Sequence, residues 1–172
     1  MKSDELRAIQ TPLKQRYREE PEAALITLKA EGRLGEGITC GVQTGKALVE
    51  AGLHPATGGS GLLACSGDML LEALVACAGV TLLSVATAIG VDVRDGAVRA
   101  EGQLDFRGTL SVAADVPVGF QRIALHFDLE TDASDEQLAT LIRLTERYCV
   151  VYQTLRQPPE FQVTRRRIAP GE

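Results

Sequence analysis

The 172-residue chain contains no tryptophan, and only 4% of its residues are aromatic. Its core therefore has to be built from Leu, Val, Ile and small residues, and the 17 glycines favour close approach of backbones. It has two histidines, His54 and His126, and no cysteine pair at CxxC spacing, which argues against a zinc site. Cations are outnumbered, 18 Lys and Arg against 23 Asp and Glu. Nucleic-acid affinity draws on a surplus of cations gathered on one face, so this balance speaks against nucleic acid as a partner. The run Arg165-Arg166-Arg167 is a local exception, read as the solvated end of a strand. The N-terminal stretch MKSDELRAIQTPLKQRYREE has mixed charge and no apolar run of signal-peptide length, so a cytoplasmic location is expected. There is no internal repeat and no low-complexity segment, and one domain over 1–172 is expected, with 1–22 a polar N-terminal arm.

Against this background stand four cysteines. In a reducing compartment they are expected to be catalytic, sensing or simply buried, not a permanent disulfide frame. Cys77 lies in the uncharged stretch ALVACAGVTLLSVATAIGV, and Cys149 closes the amphipathic segment LATLIRLTERYC. Residues 73–91 carry no charge and are long enough to cross a bilayer as a helix. The stretch is diluted by Ala, Gly, Ser and Thr, lacks flanking Trp or Tyr, and is bounded by Glu72 and Asp92 instead of a Lys/Arg cluster. It reads as the buried central helix of a soluble protein, not a membrane span. Leu70, Leu74, Cys77, Thr81 and Ser84 recur every three or four residues and share one of its faces; Ser66 or Asp68 is expected to cap its start, and Gly90 to end it.

Before that helix, alternation predicts a strand over 24–31, a turn at Gly32-Arg33-Leu34-Gly35 and a second strand over 37–43, followed by the loop HPATGGSGLLACSGD. After it, strands are predicted over 96–106 and in RIALHFDLET, where Ile123, Leu125, Phe127 and Leu129 share a side and His126 faces away. Ser134-Asp135-Glu136-Gln137 fits a capping box opening a helix that leads to Tyr148 and Cys149, and a last strand is predicted over 161–168. The layout is α+β, with antiparallel sheet packed on a long buried helix that carries a cysteine.

The run GGSG…SGDMLLEALVACAGVTL, the FRG and PVGFQRI segments and LTERYCVVYQTL together resemble the OsmC/Ohr family of thiol peroxidases, from about residue 24 onward. The resemblance implies an OsmC-like fold, an intertwined homodimer with sites at its interface, no cofactor, and reduction of organic hydroperoxides reset by a dithiol such as a lipoyl protein. Carried over by motif, Cys77 would be the peroxidatic and Cys149 the resolving cysteine. Arg33, in the G-R pair after the first strand, would stabilise thiolate and peroxide. Asp68, nine residues before Cys77, would orient that arginine, with Glu72 a substitute. The chain departs from the family pattern in having Asp68 for Glu, Val150 where Pro usually follows the second cysteine, and the additional Cys40 and Cys65, either of which is open to an alternative disulfide.

Taken alone, Cys77 and Cys149 also read as inert core residues, because free cysteine is among the most buried residue types. A second reading of the whole chain is thus a non-catalytic OsmC-like protein that binds a small apolar or thiol ligand, or senses oxidants through a reversible disulfide.

Overall fold

A computed structural model of the chain describes residues 48–110 and 114–167, the backbone of 32–34 and 39–43, and residues 2–5, 8, 11 and 19 of the N-terminal arm. The strand predicted over 24–31 lies outside the described residues. Four strands form one sheet: β1 (Gly32–Leu34), β2 (Thr39–Gln43), β3 (Leu48–Gly52) and the short β4 (Ala64–Cys65), in that order. β1–β2 and β2–β3 are antiparallel, and β4 runs parallel to β3. Gly32-Arg33-Leu34 was expected in a turn; it is instead strand, with Arg33 opposite Gly41, because pairing with β2 satisfies its backbone groups.

From β4 the chain passes directly into the helix α1 (Ser66–Ile89). Its N-cap is Cys65, in extended conformation, rather than Ser66 or Asp68; Asp68 sits in the first turn, where a negative charge favours the helix dipole. Gly90 ends the helix as expected, at φ 74° and ψ 27°, a left-handed conformation that costs glycine no Cβ clash. The Val91 N–H then closes back on the Ala86 carbonyl at 2.9 Å.

β5 (Asp95–Gln103) and β6 (Arg122–Glu130) pair antiparallel along their whole length, from Asp95↔Glu130 to Gln103↔Arg122, with the one-turn helix α2 (Phe106–Thr109) in the connection. Ile123, Leu125, Phe127 and Leu129 face inward while His126, Asp128 and Glu130 are exposed, as the alternation predicts. Exposed ion pairs of Arg94 with Glu130 and Asp132 at one end of the pair, and of Arg99 with Asp128 across its middle, add little to stability.

The helix α3 (Asp135–Tyr148) opens with the predicted capping box: the Gln137 N–H donates to the Ser134 Oγ at 3.3 Å, and the Ser134 N–H donates to the Gln137 Oε1 at 2.9 Å. After Cys149 a further helix, α4 (Val150–Arg156), runs on. The strand predicted over 161–168 is not formed across its described residues: 157–167 has no regular structure, and Phe161 and Val163 stand in solvent at 83% and 91% exposure. Alternating apolar residues become a strand only with a sheet edge to pair with, and none is presented to this segment among the described residues.

The core lies between α1, the β5–β6 pair and the α3–α4 corner. Toward the C-terminal half of α1, Leu82, Val85, Ala86 and Val91 pack on Leu141, flanked by Phe127, Leu129 and Ile142. Further up the helix, Leu74 and Ala78 pack on Cys149, flanked by Cys77, Val98, Ala100, Ile123, Leu125 and Val151. Among the described residues, only one side of α1 is covered. Ala73, Ala76, Val80 and Leu83, recurring every three or four residues, form an uncovered apolar stripe, with Val80 72% and Leu83 55% exposed. The sequence predicts a helix buried all round; the described residues cover half of it. By length and composition alone α1 could also cross a membrane.

Candidate active site

Cys77 sits in the middle of α1, on the flank of the Leu74–Ala78–Leu82 seam, half-buried. Cys149 occupies the corner where α3 becomes α4. It ends the first helix, its N–H donating to the Thr145 carbonyl at 2.9 Å, and begins the second, its carbonyl accepting from the Gln153 N–H at 3.0 Å. Its φ of -73° and ψ of 110° are extended, which breaks the helix there. The Gln153 side chain, donating Nε2–H to the Glu146 carbonyl at 2.7 Å, fastens α4 back onto α3 and holds the corner angle. With only 1% of its surface exposed, Cys149 points into the core against Leu74 and Ala78.

This packing gathers the two thiols into one core cluster, close enough for each to bias the other's proton. Burial pushes the Cys77 thiol up, but the Val151 N–H, the Cys149 thiol, the Val150 N–H and the Thr81 hydroxyl all aim donors at its sulfur and together hold it below the ordinary thiol range. Cys149 goes the other way. Burial raises it, and the neighbouring Cys77 adds to this because a thiolate there favours keeping the Cys149 proton; the Tyr152 and Val151 amides oppose without reversing the shift. The pair is thus polarised, with Cys77 the readier nucleophile and Cys149 the retained proton donor. Both are free thiols in the structure.

The other sequence candidates fall in different places. Arg33 lies in β1; its side chain is outside the described residues. Asp68 and Glu72 are both exposed on α1. At about 100° per residue, Asp68 lies half a turn around the helix from Cys77 and Glu72 about 140° away, so within one chain neither acid shares the cysteine's face. Cys65 is a free, half-buried thiol at the N-cap of α1. Cys40 is in β2 opposite Ala51, and Cys65 in β4 is opposite Gly52, so β3 lies between them. Strands two apart are separated by about 10 Å, beyond the roughly 7 Å that a disulfide spans, which excludes a Cys40–Cys65 bond within the chain.

Sequence reasoning names none of the three groups besides Cys149 that pull the Cys77 thiol down, the Thr81 hydroxyl and the Val150 and Val151 amides. Thr81 was placed on the cysteine's face but given no role, although its position four residues on is itself a signal. The Val150 and Val151 donors are main-chain amides, which leave no mark on a side-chain pattern.

A model of the OsmC-like protein family matches residues 59–164, the span that carries both cysteines. No curated protein matched the sequence. Among solved structures, the fold is similar to an OsmC-like protein from Mycoplasma pneumoniae, at TM-score 0.65 and 16% identity over 77% of this chain and 89% of that one. It is also similar to an organic hydroperoxide resistance protein from Elizabethkingia anophelis, at TM-score 0.63 and 17% identity over 78% and 91% of the two chains. A third, an organic hydroperoxide resistance protein OsmC from Legionella pneumophila, gives TM-score 0.61 and 19% identity over 78% and 92%. With the α+β fold, the long cysteine helix and the second cysteine in contact with it, the chain belongs to the OsmC-like protein family.

Proposed function

We propose that the protein is a thiol-dependent peroxidase that reduces organic hydroperoxides, with Cys77 as peroxidatic and Cys149 as resolving cysteine. The observation that carries this is the polarised pair itself: two thiols in contact, one held low and the other high. The Cys77 thiolate attacks the terminal oxygen of ROOH; the O–O bond breaks, and RO⁻ leaves and takes a proton to become the alcohol. Cys77 is then a sulfenic acid. The Cys149 sulfur attacks that sulfur, the S–OH bond breaks, and hydroxide leaves with the Cys149 proton as water, closing the disulfide. Two thiol–disulfide exchanges with an external dithiol, such as a lipoyl protein in the cytoplasm, restore both thiols and oxidise the dithiol.

In this reading the protein works as a homodimer, supported by the apolar stripe along α1, which a second copy's helix would cover. Arg33 is assigned the peroxide and the thiolate as ligands, and Asp68 or Glu72 its orientation. Because neither acid shares the Cys77 face of α1, that clamp has to be completed between copies.

Titration of the reduced protein with cumene hydroperoxide, followed by peptide mass mapping, tests the reading. One equivalent is expected to yield one alcohol and a Cys77–Cys149 disulfide, and Cys149→Ser to stop at a Cys77 sulfenic acid. Oxidation that leaves Cys77 reduced would count against it.

A further inference from the structure

β5 pairs with β6 on one side, and its other edge has no strand beside it among the described residues. The Gly96 N–H is answered by the neighbouring Asp95 side chain, at 2.8 Å, instead of by a strand. An unpaired edge of this length is a template for a further extended segment, whose backbone would satisfy the open groups. Beside it, between β5 and α1, runs a groove of about 290 Å³ lined by Leu82, Leu83, Gly96, Val98 and Leu129, with Gly79 on the helix side. A side chain at position 79 would narrow the groove, because a Cβ there would stand 3.8 Å from the Val98 Cγ2. At Leu83 the groove runs into the uncovered apolar stripe of α1.

The same chain carries a segment with the pattern of a strand and no sheet to join. Beyond α4 and Pro158-Pro159, Phe161 and Val163 alternate with Gln162 and Thr164 and stand almost wholly in solvent. Two large apolar side chains two residues apart share one side of an extended backbone, so a single groove can bury both. Arg165-Arg166-Arg167 follows directly. The start of β5 has the complementary charge: the carboxylates of Asp92, Asp95, Glu130 and Asp132 gather about the Arg94 guanidinium, three more negative charges than that one cation neutralises. Charges of opposite sign on two such surfaces set the direction in which they meet.

We infer that residues 160–167 of one copy lie antiparallel on the free β5 edge of a second copy, with Phe161 and Val163 in the groove and Arg165–Arg167 over the acids at the start of β5. The antiparallel direction follows from the charges, since a parallel tail would carry its arginines to the far end of β5. Residues opposite one another across a strand pair share a face, which sets Phe161 and Val163 on the side of Gly96 and Val98. The occupant is a second copy because tail and groove belong to the same chain, and within one chain the tail stands in solvent. Exchanged about a two-fold axis, two tails fill two grooves and the assembly closes. The inference rests on the homodimer proposed above and names the segment that joins it.

The test is photo-cross-linking of the full-length protein with p-benzoylphenylalanine at position 161, read by product mass on a denaturing gel and by mass mapping of the linked peptides. A product of twice the chain mass is expected, joining position 161 to residues 79–98. A link within one chain, a link between copies that falls on another element, or no link in a dimeric sample overturns the inference. Phe161→Ala is expected to weaken dimerisation by about ten-fold for each tail, so about a hundred-fold in the dimer Kd, whereas Gln162→Ala, on the opposite side of the strand, should leave it unchanged. An unaltered Kd in Phe161→Ala also overturns it. Sedimentation velocity of the wild type at the cross-linking concentration separates the two ideas. A monomer sinks the homodimer and the tail exchange together, and a dimer whose position 161 links elsewhere sinks the tail exchange alone.

Discussion

Replacing Cys149 by alanine removes one of the groups that hold the Cys77 thiol low, and replacing it by serine keeps a hydroxyl donor while removing the sulfur. A hydrogen bond to a charged acceptor contributes roughly 1.5–3 kcal/mol, and an S–H is a weak donor, so about 1 kcal/mol is a reasonable share for Cys149. At 1.36 kcal/mol per unit, Cys149→Ala should raise the Cys77 midpoint by about 0.7 of a pH unit. The sign follows from the direction of the shift. A thiol held low is reactive above its depressed midpoint and loses reactivity as pH falls through it, so raising the midpoint costs about five-fold in alkylation rate on the acid side and almost nothing on the alkaline side. Cys149→Ser should keep a midpoint at or below that of the wild type. Both variants should nevertheless lose catalytic turnover with a dithiol, because neither can close the disulfide. Iodoacetamide rates across the pH range, with the Cys77 peptide resolved by mass, measure the first effect and hydroperoxide consumption the second. An unchanged midpoint in Cys149→Ala, or a rise in Cys149→Ser equal to that in the alanine variant, would refute the argument that the Cys149 proton is directed at Cys77.

Leu141, fully buried between α1 and α3, should cost about 2–5 kcal/mol when cut to alanine, read as a lower midpoint in urea unfolding. Val80→Glu places an unpaired charge in the middle of the uncovered stripe of α1, and sedimentation velocity should find the wild type dimeric and the variant monomeric; a dimer of unchanged affinity would exclude this face as the interface. Arg33→Gln should lower kcat/KM for hydroperoxide by at least ten-fold with the fold intact by circular dichroism, and an unaltered value would remove the arginine from the reaction.

What was legible in the sequence is what local chemistry decides. Gly90 and the Ser134–Gln137 box ended and began helices where expected, because caps are satisfied by the residues themselves. The inward face of β6 followed from alternation alone. Features that depend on a second element were less visible. The segment 161–167 has a strand's alternation but no edge to pair with among the described residues, and α1 has the composition of a fully buried helix although the described residues cover only half of it. Arg33 looked like part of a turn because Gly flanks it closely, whereas pairing with Gly41 makes it strand. At the site, both cysteines were evident from their settings and the family resemblance. Their contact was not, because it depends on the break at Cys149 that swings α4 against α1.

Steady-state consumption of cumene hydroperoxide with a lipoyl dithiol, for the wild type beside Cys77→Ser and Cys149→Ser, asks directly whether the polarised thiol pair is a peroxidase centre. The wild type should turn over many times, Cys77→Ser not at all, and Cys149→Ser at most once. A wild type that stops after a single stoichiometric oxidation would make the pair a sensor, and a Cys77→Ser variant as active as the wild type would place the chemistry elsewhere.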